Sequence, residues 1–157
     1  MNLKLLLDIW GVLAGALFLA CLAWISVTDI RKRLIPNQAI LTMLILGLLN
    51  MGLDIFRQQD WWQNPAGLLI ALPFLGAWLR GWMGAGDVKL ILACGFFLGL
   101  PVSMVMIALM LLLLIVIAIY LAISHRSMKT KIPLGPVIAT ACAGIIIVNL
   151  INIFLRG

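Results

Sequence analysis

Long apolar runs separated by short polar clusters are the feature that most restricts the fold of this chain. Apolar residues make up 65% of its 157 residues and charged residues only 10%, against about 25% charged residues in an average soluble domain. A small water-soluble domain could not cover so much apolar surface, and disorder needs low hydrophobicity and high charge. The runs are too long and too uniformly apolar for barrel strands, and backbone groups in lipid must be paired within the segment. The pattern therefore predicts an all-α polytopic membrane protein.

About six transmembrane helices are predicted, because a spanning helix needs about 20 residues. The apolar runs are Ile9–Val27, Ala39–Leu53, Trp61–Leu79, Val88–Leu100, Val102–Ile123 and Pro136–Leu155. We expect the first run to be a retained helix and not a signal peptide, since its apolar stretch is long for one.

The fourth run, Val88–Leu100, is too short to cross a bilayer comfortably. Its 13 residues cover about 20 Å as a helix, whereas the hydrocarbon core is about 30 Å thick. One solution is a re-entrant turn over Gly81–Asp87, whose glycines allow a tight bend inside the membrane. The alternative is a short span with local thinning of the bilayer.

The basic residues predict the orientation of the chain. They lie in short clusters between apolar runs, as the positive-inside rule requires, so the net charge of +6 does not indicate nucleic acid as a partner. With the most basic loops cytoplasmic, eight cations lie inside: Arg31, Lys32, Arg33, Arg80, Lys89, Arg126, Lys129 and Lys131. Both termini then lie outside, together with three cations and three acids: Lys4, Arg57, Arg156, Asp8, Asp54 and Asp60.

The metal-ligating residue types do not form a recognisable metal site. Cys21, Cys94 and Cys142 each stand alone in an apolar stretch, which predicts small packing residues and no zinc site. His125 has no second ligand near it in the sequence, so we expect neither a metal nor another cofactor. Asn149 and Asn152, in the last apolar run, are expected to make interhelical hydrogen bonds.

Two of the five acidic residues, Asp29 and Asp87, are candidates for chemistry. Asp29 ends the first apolar run, and Asp87 follows the glycine-rich turn before the fourth. An ionisable residue at or within a membrane is costly and so suggests function. In the predicted topology the chain crosses the membrane twice between them, which brings both carboxylates to the cytoplasmic side.

Several roles for these aspartates remain open on physical grounds. Two close carboxylates share a proton and titrate as a unit. One of them can activate water while the other acts as an acid, and together they can hydrolyse a peptide bond without a metal. A proton- or ion-carrier would use the same residues. A further alternative is that Asp29 pairs with Arg31 or Arg33 and that Asp87 only caps its helix. Lys89 and the helix N-terminus are expected to favour ionised Asp87.

Three motifs resemble those of the type IV prepilin peptidases and archaeal preflagellin peptidases, a family of membrane aspartic proteases. Gly84-Ala85-Gly86-Asp87-Val88-Lys89-Leu90 is similar to the family's GxGD motif. Asp29-Ile30-Arg31-Lys32-Arg33-Leu34-Ile35-Pro36-Asn37 resembles the segment of its first aspartate, which ends in Ile-Pro-Asn. Ile132-Pro133-Leu134-Gly135-Pro136 resembles its late proline–glycine motif.

The resemblance implies a single transmembrane peptidase domain over residues 1–157, in an inner membrane. It makes Asp29 and Asp87 the catalytic pair at the cytoplasmic side, acting on prepilin or pseudopilin leaders without a cofactor. Membrane lipids are the other expected partners, and the oligomeric state is left open. The remaining motif residues would shape the site: Gly84, Gly86, Lys89, Pro36, Asn37, Pro133, Gly135 and Pro136.

The chain also departs from the larger family members. These carry an additional cytoplasmic region, often with paired C-x-x-C motifs, and N-methylate the trimmed pilin; here no C-x-x-C is present. We therefore expect a peptidase without methyltransferase activity, similar to the short peptidases of tight-adherence pili or to a dedicated secretion-system peptidase. A non-catalytic assembly factor descended from the peptidase is the remaining alternative.

Overall fold

The computed structural model describes residues 3–56, 59–123 and 133–156, and within these residues every regular element is a helix. The elements are α1 (Leu3–Lys32), α2 (Asn37–Phe56), α3 (Gln63–Gly67), a 3-10 segment (Leu68–Ala71), α4 (Leu72–Leu79), α5 (Ala85–Leu98), α6 (Leu100–Ile123) and α7 (Leu134–Arg156). The predicted all-α class is confirmed.

Among the described residues, four helices are long and apolar enough to cross a membrane, by length and composition. These candidate spans are Ile9–Lys32, Asn37–Phe56, Leu100–Ile123 and Leu134–Asn152. They contain the first, second, fifth and nearly all of the sixth predicted apolar run. The count of about six spans and the re-entrant turn are not confirmed and stay predictions.

The third predicted run, Trp61–Leu79, is not one continuous α-helix. It divides into α3, the 3-10 segment and α4. Pro73 has no N–H to bond to the Leu69 carbonyl, and the Leu72 N–H bonds to that carbonyl instead, in the i to i−3 pattern of a 3-10 helix. A single proline therefore explains why the apolar pattern continues while the α-helix is interrupted.

Helix α5 is the centre of the bundle. It packs against α2, α3, the 3-10 segment, α4, α6 and α7, whereas α1 packs between α2 and α7. Its buried side chains continue the core formed by α1, α2, α6 and α7. This enclosure explains how a helix of 14 residues can be stable among longer neighbours, because protein rather than lipid surrounds most of it.

A close backbone crossing fixes α5 beside α3. A Cβ atom on Gly67 would lie 2.0 Å from the carbonyl oxygen of Gly95, and one on Gly95 would lie 2.4 Å from that of Gly67. Only two glycines permit this approach. Small residues at such crossings are typical of helix packing in membranes, where van der Waals contact replaces the hydrophobic effect as the driving force.

The helices alternate in direction, and so the bundle has two distinct ends. We call the end that holds the last turn of α1 and the first turns of α2, α5 and α7 the aspartate end, because it contains Asp29 and Asp87. The far end holds the last turns of α2 and α5 and the first turns of α3 and α6, where Gly99 lies beside Gln63 and Asn64.

Candidate active site

The structure brings the three sequence motifs together at the aspartate end. Asp29 lies in the last turn of α1, Asp87 in the first turn of α5, and Gly135 in the first turn of α7. Contacts join the motifs in pairs: Gly135 to Asp29, and the GxGD segment to the Ile-Pro-Asn segment. Residues that are far apart in the chain thus form one continuous site.

Asp29 is buried, with 7% of its surface exposed, and its partner is a backbone amide. The Gly135 N–H donates a hydrogen bond of 3.0 Å to Asp29 Oδ2. First-turn amides have no partner within their own helix, and a helix N-terminus favours a negative charge. The start of α7 therefore supplies a hydrogen-bond donor that stabilises negative charge on the Asp29 carboxylate.

Neither arginine that follows Asp29 pairs with it. Arg31 and Arg33 are exposed, and no ion pair joins them to Asp29 among the described residues. The Arg33 N–H instead bonds to the Asp29 carbonyl oxygen at 2.9 Å and ends α1, with Arg33 in the left-handed region at φ 52°. The interpretation of Asp29 as a partner of an arginine is thus wrong.

Asp87 is half-buried, lies outside the four candidate spans, and interacts electrostatically with Asp29. Burial, and secondly the nearby Asp29 charge, raise the pKa of Asp87 from 3.8 to about 6, although a backbone hydrogen bond from Gly84 acts to lower it. Gly84 is the N-cap of α5, so this bond follows the capping-box pattern in which the third helical residue reaches back to the cap. Asp87 thus caps its helix and also faces a second carboxylate.

Lys89 is not among the groups that shift the pKa of Asp87, whereas the expected effect of the helix N-terminus is present as the Gly84 hydrogen bond, which lowers that pKa. Lys89 is exposed, and its Nζ donates to Asn37 Oδ1 at 3.3 Å, so its charge is directed to α2 and to solvent. Burial and the Asp29 charge outweigh the Gly84 hydrogen bond, so the net shift of the Asp87 pKa is upward. The role that the structure gives Lys89 is to connect the GxGD segment with the Ile-Pro-Asn segment.

The glycines of the motifs are required by close contacts. A Cβ atom on Gly135 would lie 2.7 Å from Asp29 Oδ2, and one on Gly84 would lie 3.0 Å from Asp87 Oδ2. A Cβ atom on Gly86 would lie 3.1 Å from the Cβ atom of Ile35. Two glycines therefore give the carboxylates room, and the third allows the two motif segments to meet.

The prolines of the motifs stand at helix starts. Pro36 directly precedes α2, and its carbonyl accepts the Ile40 N–H at 3.3 Å. Pro133 is exposed and directly precedes α7, whereas Pro136 lies in its first turn. A proline is tolerated at these positions, because first-turn amides have no partner within the helix.

Asp54 and Asp60 lie at the far end and take no part in this site. They line a polar cavity of about 420 Å³ together with Asn50, Gln59, Gln63 and Asn64. Asp60 is exposed and accepts a bond of 3.1 Å from Gln63 Nε2; Asp54 is half-buried and lies 3.5 Å from Asn64 Nδ2. Asp60 is therefore a solvated carboxylate, whereas Asp54 is partly enclosed.

No group of three or more His, Cys, Asp or Glu side chains that could hold a metal ion occurs among the described residues. The three cysteines are buried and form no disulfide, and the side chains of Cys94 and Cys142 are hydrogen-bonded to each other, in agreement with the predicted packing role. Several residues named in the sequence analysis lie outside the described residues: Arg57, His125, Arg126, Lys129, Lys131 and Ile132.

Sequence reasoning missed the partner of Asp29. Gly135 was identified only as part of a loop-shaping motif, yet its N–H is the hydrogen-bond donor to a buried carboxylate. The available signal was weak: a glycine between two prolines predicts a helix start, and a helix start offers free amides, but nothing in the sequence pairs it with Asp29.

The fold and the site together define a class: a helical membrane protein with two coupled aspartates at one end of its bundle. A model of the type IV leader peptidase family matches residues 16–123, a range that includes both aspartates. The chain belongs to this family.

Relatives of the chain are similar in sequence but longer. A prepilin leader peptidase/N-methyltransferase of Xanthomonas campestris pv. campestris is 32% identical over 139 residues, covering 81% of this chain and 47% of that protein. Proteins of the same name from Legionella pneumophila and Aeromonas hydrophila are 28% and 31% identical, over 81% and 84% of this chain and 48% of each relative. The chain spans about half the length of the curated relatives it matches. No solved structure matches it.

Proposed function

We propose that the chain is a membrane aspartic endopeptidase that cleaves the leader peptide of type IV prepilin-like substrates. The observation that carries the proposal is the position of Asp29 and Asp87, which are distant in sequence and lie at the same end of the bundle, where the motif segments that contain them meet. Membership of the leader peptidase family and the names of the relatives support the substrate class. We propose the peptidase activity alone.

Asp29 and Asp87 act as a pair that shares one proton. The pKa of Asp87 is raised to about 6, so a fraction of the molecules carries a proton on Asp87 near neutral pH. The Gly135 N–H stabilises negative charge on Asp29. Ionised Asp29 is thus the base and protonated Asp87 the acid, the division of roles that hydrolysis by two carboxylates requires.

Peptide hydrolysis by this pair needs no covalent bond between the protein and the substrate. Asp29 takes a proton from water as the water oxygen bonds to the scissile carbonyl carbon, and Asp87 gives its proton to the carbonyl oxygen. The C–N bond then breaks as the leaving nitrogen receives the proton held by Asp29, and Asp87 recovers its own proton from the hydroxyl that becomes the new carboxyl. Water and peptide are consumed, and the pair returns to its starting state.

The cytoplasmic side is the proposed location of the site. The far end carries Asp54 and Asp60. Exposed basic residues instead surround the aspartate end: Arg31, Lys32, Arg33, Arg80 and Lys89. By the positive-inside rule the basic end faces the cytoplasm. Leaders of prepilin-like substrates would then be cut before the apolar part of the substrate leaves the membrane.

A cleavage assay with the full chain in proteoliposomes tests the proposal. The wild type is compared with Asp29→Asn and Asp87→Asn on a prepilin-like peptide that contains leader, scissile bond and apolar helix. Each variant is expected to lose at least about 1,000-fold in cleavage rate, since neither acid–base step has a substitute.

Asp60→Asn is the matched control for these variants, because Asp60 is an exposed carboxylate at the far end. It should cleave at the wild-type rate. Cleavage that survives either substitution at the aspartate end would refute the dyad. A wild type that cuts no prepilin-like peptide would favour a carrier or an assembly factor.

A further inference from the structure

Two buried cysteines meet between α5 and α7, in a place that the proposed peptidase chemistry does not use. Cys94 on α5 and Cys142 on α7 are both 0% exposed, and their side chains are hydrogen-bonded to each other without a disulfide. We call this contact the thiol pair. It joins the helix that carries Asp87 to the helix whose N-terminus holds Asp29.

The thiol pair lies equally far from the site along both helices. Cys94 is seven residues after Asp87, and Cys142 is seven residues after Gly135. Seven residues are close to two turns of an α-helix, or about 10.5 Å along its axis, and return to the same helix face. The two helix faces that carry the site residues therefore also carry the thiol pair.

Helix α5 is held by a second contact at the same level. Gly95, the residue after Cys94, lies against Gly67 of α3 in the close backbone crossing described above. α5 is also enclosed by its other neighbours, whereas α7 has an outer face with exposed apolar side chains such as Ile147 and Val148. A change in the volume of the thiol pair is therefore expected to move α7 and not α5.

A movement of α7 would reach the aspartates. The Asp29 carboxylate accepts the Gly135 N–H at 3.0 Å, and Gly135 stands in the first turn of α7. Asp87 stays with α5, which the crossing with α3 keeps in place. The separation of α5 and α7 therefore determines how far the two carboxylates are from each other.

We propose that Cys94 and Cys142 are positioning residues: their contact sets the separation of α5 and α7 and so holds Asp29 and Asp87 at their working distance. The proposal rests on the proposed function for the reaction, but the distance between the carboxylates can be tested without it. Cysteine suits this role, because it is a small, largely apolar side chain with a weak S–H donor and fits between closely packed helices.

A substitution that enlarges one side of the thiol pair tests the proposal, with the full chain in proteoliposomes. Cys142→Val replaces the sulfur by two methyl groups, which should move α7 outward and Asp29 away from Asp87. On the prepilin-like peptide kcat is expected to fall at least about fivefold with little change in KM, since small displacements of catalytic groups cost much of the rate.

The pH dependence distinguishes positioning from packing. Asp29 is the charged group that raises the pKa of Asp87, in addition to burial, whereas the Gly84 hydrogen bond lowers it. The other charged groups at the aspartate end are exposed and are not among the groups that shift it: Arg31, Lys32, Arg33, Arg80 and Lys89. A greater distance from Asp29 weakens the repulsion, so the pKa of Asp87 should fall in Cys142→Val.

Two measurements follow this pKa. The alkaline limb of the cleavage rate, where Asp87 loses its proton, should move to a pH about 0.3 lower in Cys142→Val. The same midpoint is obtained without substrate from the pH dependence of thermal melting, by comparison with Asp87→Asn in the same background. The second measurement does not depend on peptidase activity.

Two further variants serve as controls. Cys142→Ser keeps a small hydrogen-bonding side chain and should retain most of the wild-type rate with the wild-type midpoint. Cys21→Val makes the same substitution at a buried cysteine outside the thiol pair, so it should lower the melting temperature without moving the midpoint. If Cys142→Val does not fold, Cys142→Ala replaces it; its smaller side chain lets α7 approach, and the midpoint should rise.

The outcomes separate the two proposals. An unchanged midpoint in Cys142→Val, or an equal movement in Cys21→Val, would mean that the thiol pair only fills space. A serine variant as impaired as the valine variant would also overturn the positioning role. If the wild type cuts no prepilin-like peptide but the melting midpoint still moves in Cys142→Val alone, the proposed peptidase fails and the positioning of the aspartates stands.

Discussion

At the scale of single residues, the hydrogen bond from the Gly135 N–H to Asp29 holds the buried carboxylate of the site in place. A buried carboxylate needs compensation, and here it comes from a main-chain amide that no side-chain substitution can remove directly. The absence of a side chain at residue 135 is as important as its N–H, because any Cβ atom would occupy the position of the carboxylate.

Gly135→Ala should therefore impair catalysis more than folding. The new methyl group would lie 2.7 Å from Asp29 Oδ2, so the carboxylate must move and its hydrogen bond must lengthen. We expect cleavage to fall at least about tenfold, the effect of losing about 1.4 kcal/mol of transition-state stabilisation. Gly144→Ala in the same helix, where nothing lies within 4 Å, should keep full activity. Equal rates in the two variants would contradict the role of Gly135.

The raised pKa of Asp87 predicts a pH-dependent effect on stability. Its pKa is about 6 in the fold and 3.8 ordinarily, so ionised Asp87 destabilises the fold, and stability is lost as the pH rises through about 6. Asp87→Asn removes this ionisation. The variant should melt above the wild type at pH 8, and the difference should vanish near pH 4, as thermal unfolding in detergent can show. A difference that is the same at both pH values would show that ionisation is not its cause.

At the scale of elements, the apolar pattern predicted where helices occur but not how they continue. α1, α2, α5, α6 and α7 lie close to predicted runs, because long apolar stretches in a membrane leave the backbone no alternative to a helix. The run Trp61–Leu79 has the same continuous apolar pattern, yet its helix is interrupted near Pro73. Hydrophobicity indicates burial, whereas the geometry of an element also depends on backbone donors, which hydrophobicity does not report.

The site was predictable to a similar extent. Asp29 and Asp87 stood out as the two acids at the edges of apolar runs, and both are at the aspartate end. The direction of the pKa shift of Asp87 was not predictable, since it depends on burial and on the position of Asp29. Long-range pairs such as Gly135 with Asp29 arise from packing, which one sequence does not specify.

The crossing of α3 and α5 predicts a strong effect for a small substitution. Gly95→Ala places a methyl group 2.4 Å from the Gly67 carbonyl oxygen, so the helices must separate. We expect a loss of about 1–3 kcal/mol in the free energy of unfolding, typical of overpacking, measured by unfolding in mixed micelles. Gly76→Ala, with nothing within 4 Å of the new atom, should be neutral or slightly stabilising. Similar stabilities of the two variants would refute the close crossing.

At the scale of the whole molecule, the two ends differ in charge. Exposed basic residues surround the aspartate end, and Asp54 and Asp60 lie at the far end. The three native cysteines are buried, so they should not react with a membrane-impermeant thiol reagent in the folded protein.

This asymmetry predicts which end each side of the membrane exposes. Lys32→Cys should be labelled only when the reagent reaches the cytoplasmic side, and Asp60→Cys only from the opposite side. The wild type is the unlabelled control. Labelling of Asp60→Cys from the cytoplasm would reverse the orientation and place the aspartates outside.

The contact between α1 and α7 also has a consequence for biosynthesis. A ribosome makes Asp29 early and Gly135 more than a hundred residues later. The nascent chain therefore carries Asp29 without its backbone donor until α7 has left the ribosome and docked against α1. A chain interrupted before that point has both aspartates but lacks the Gly135 donor, so we expect the proposed peptidase to be inactive until α7 has docked.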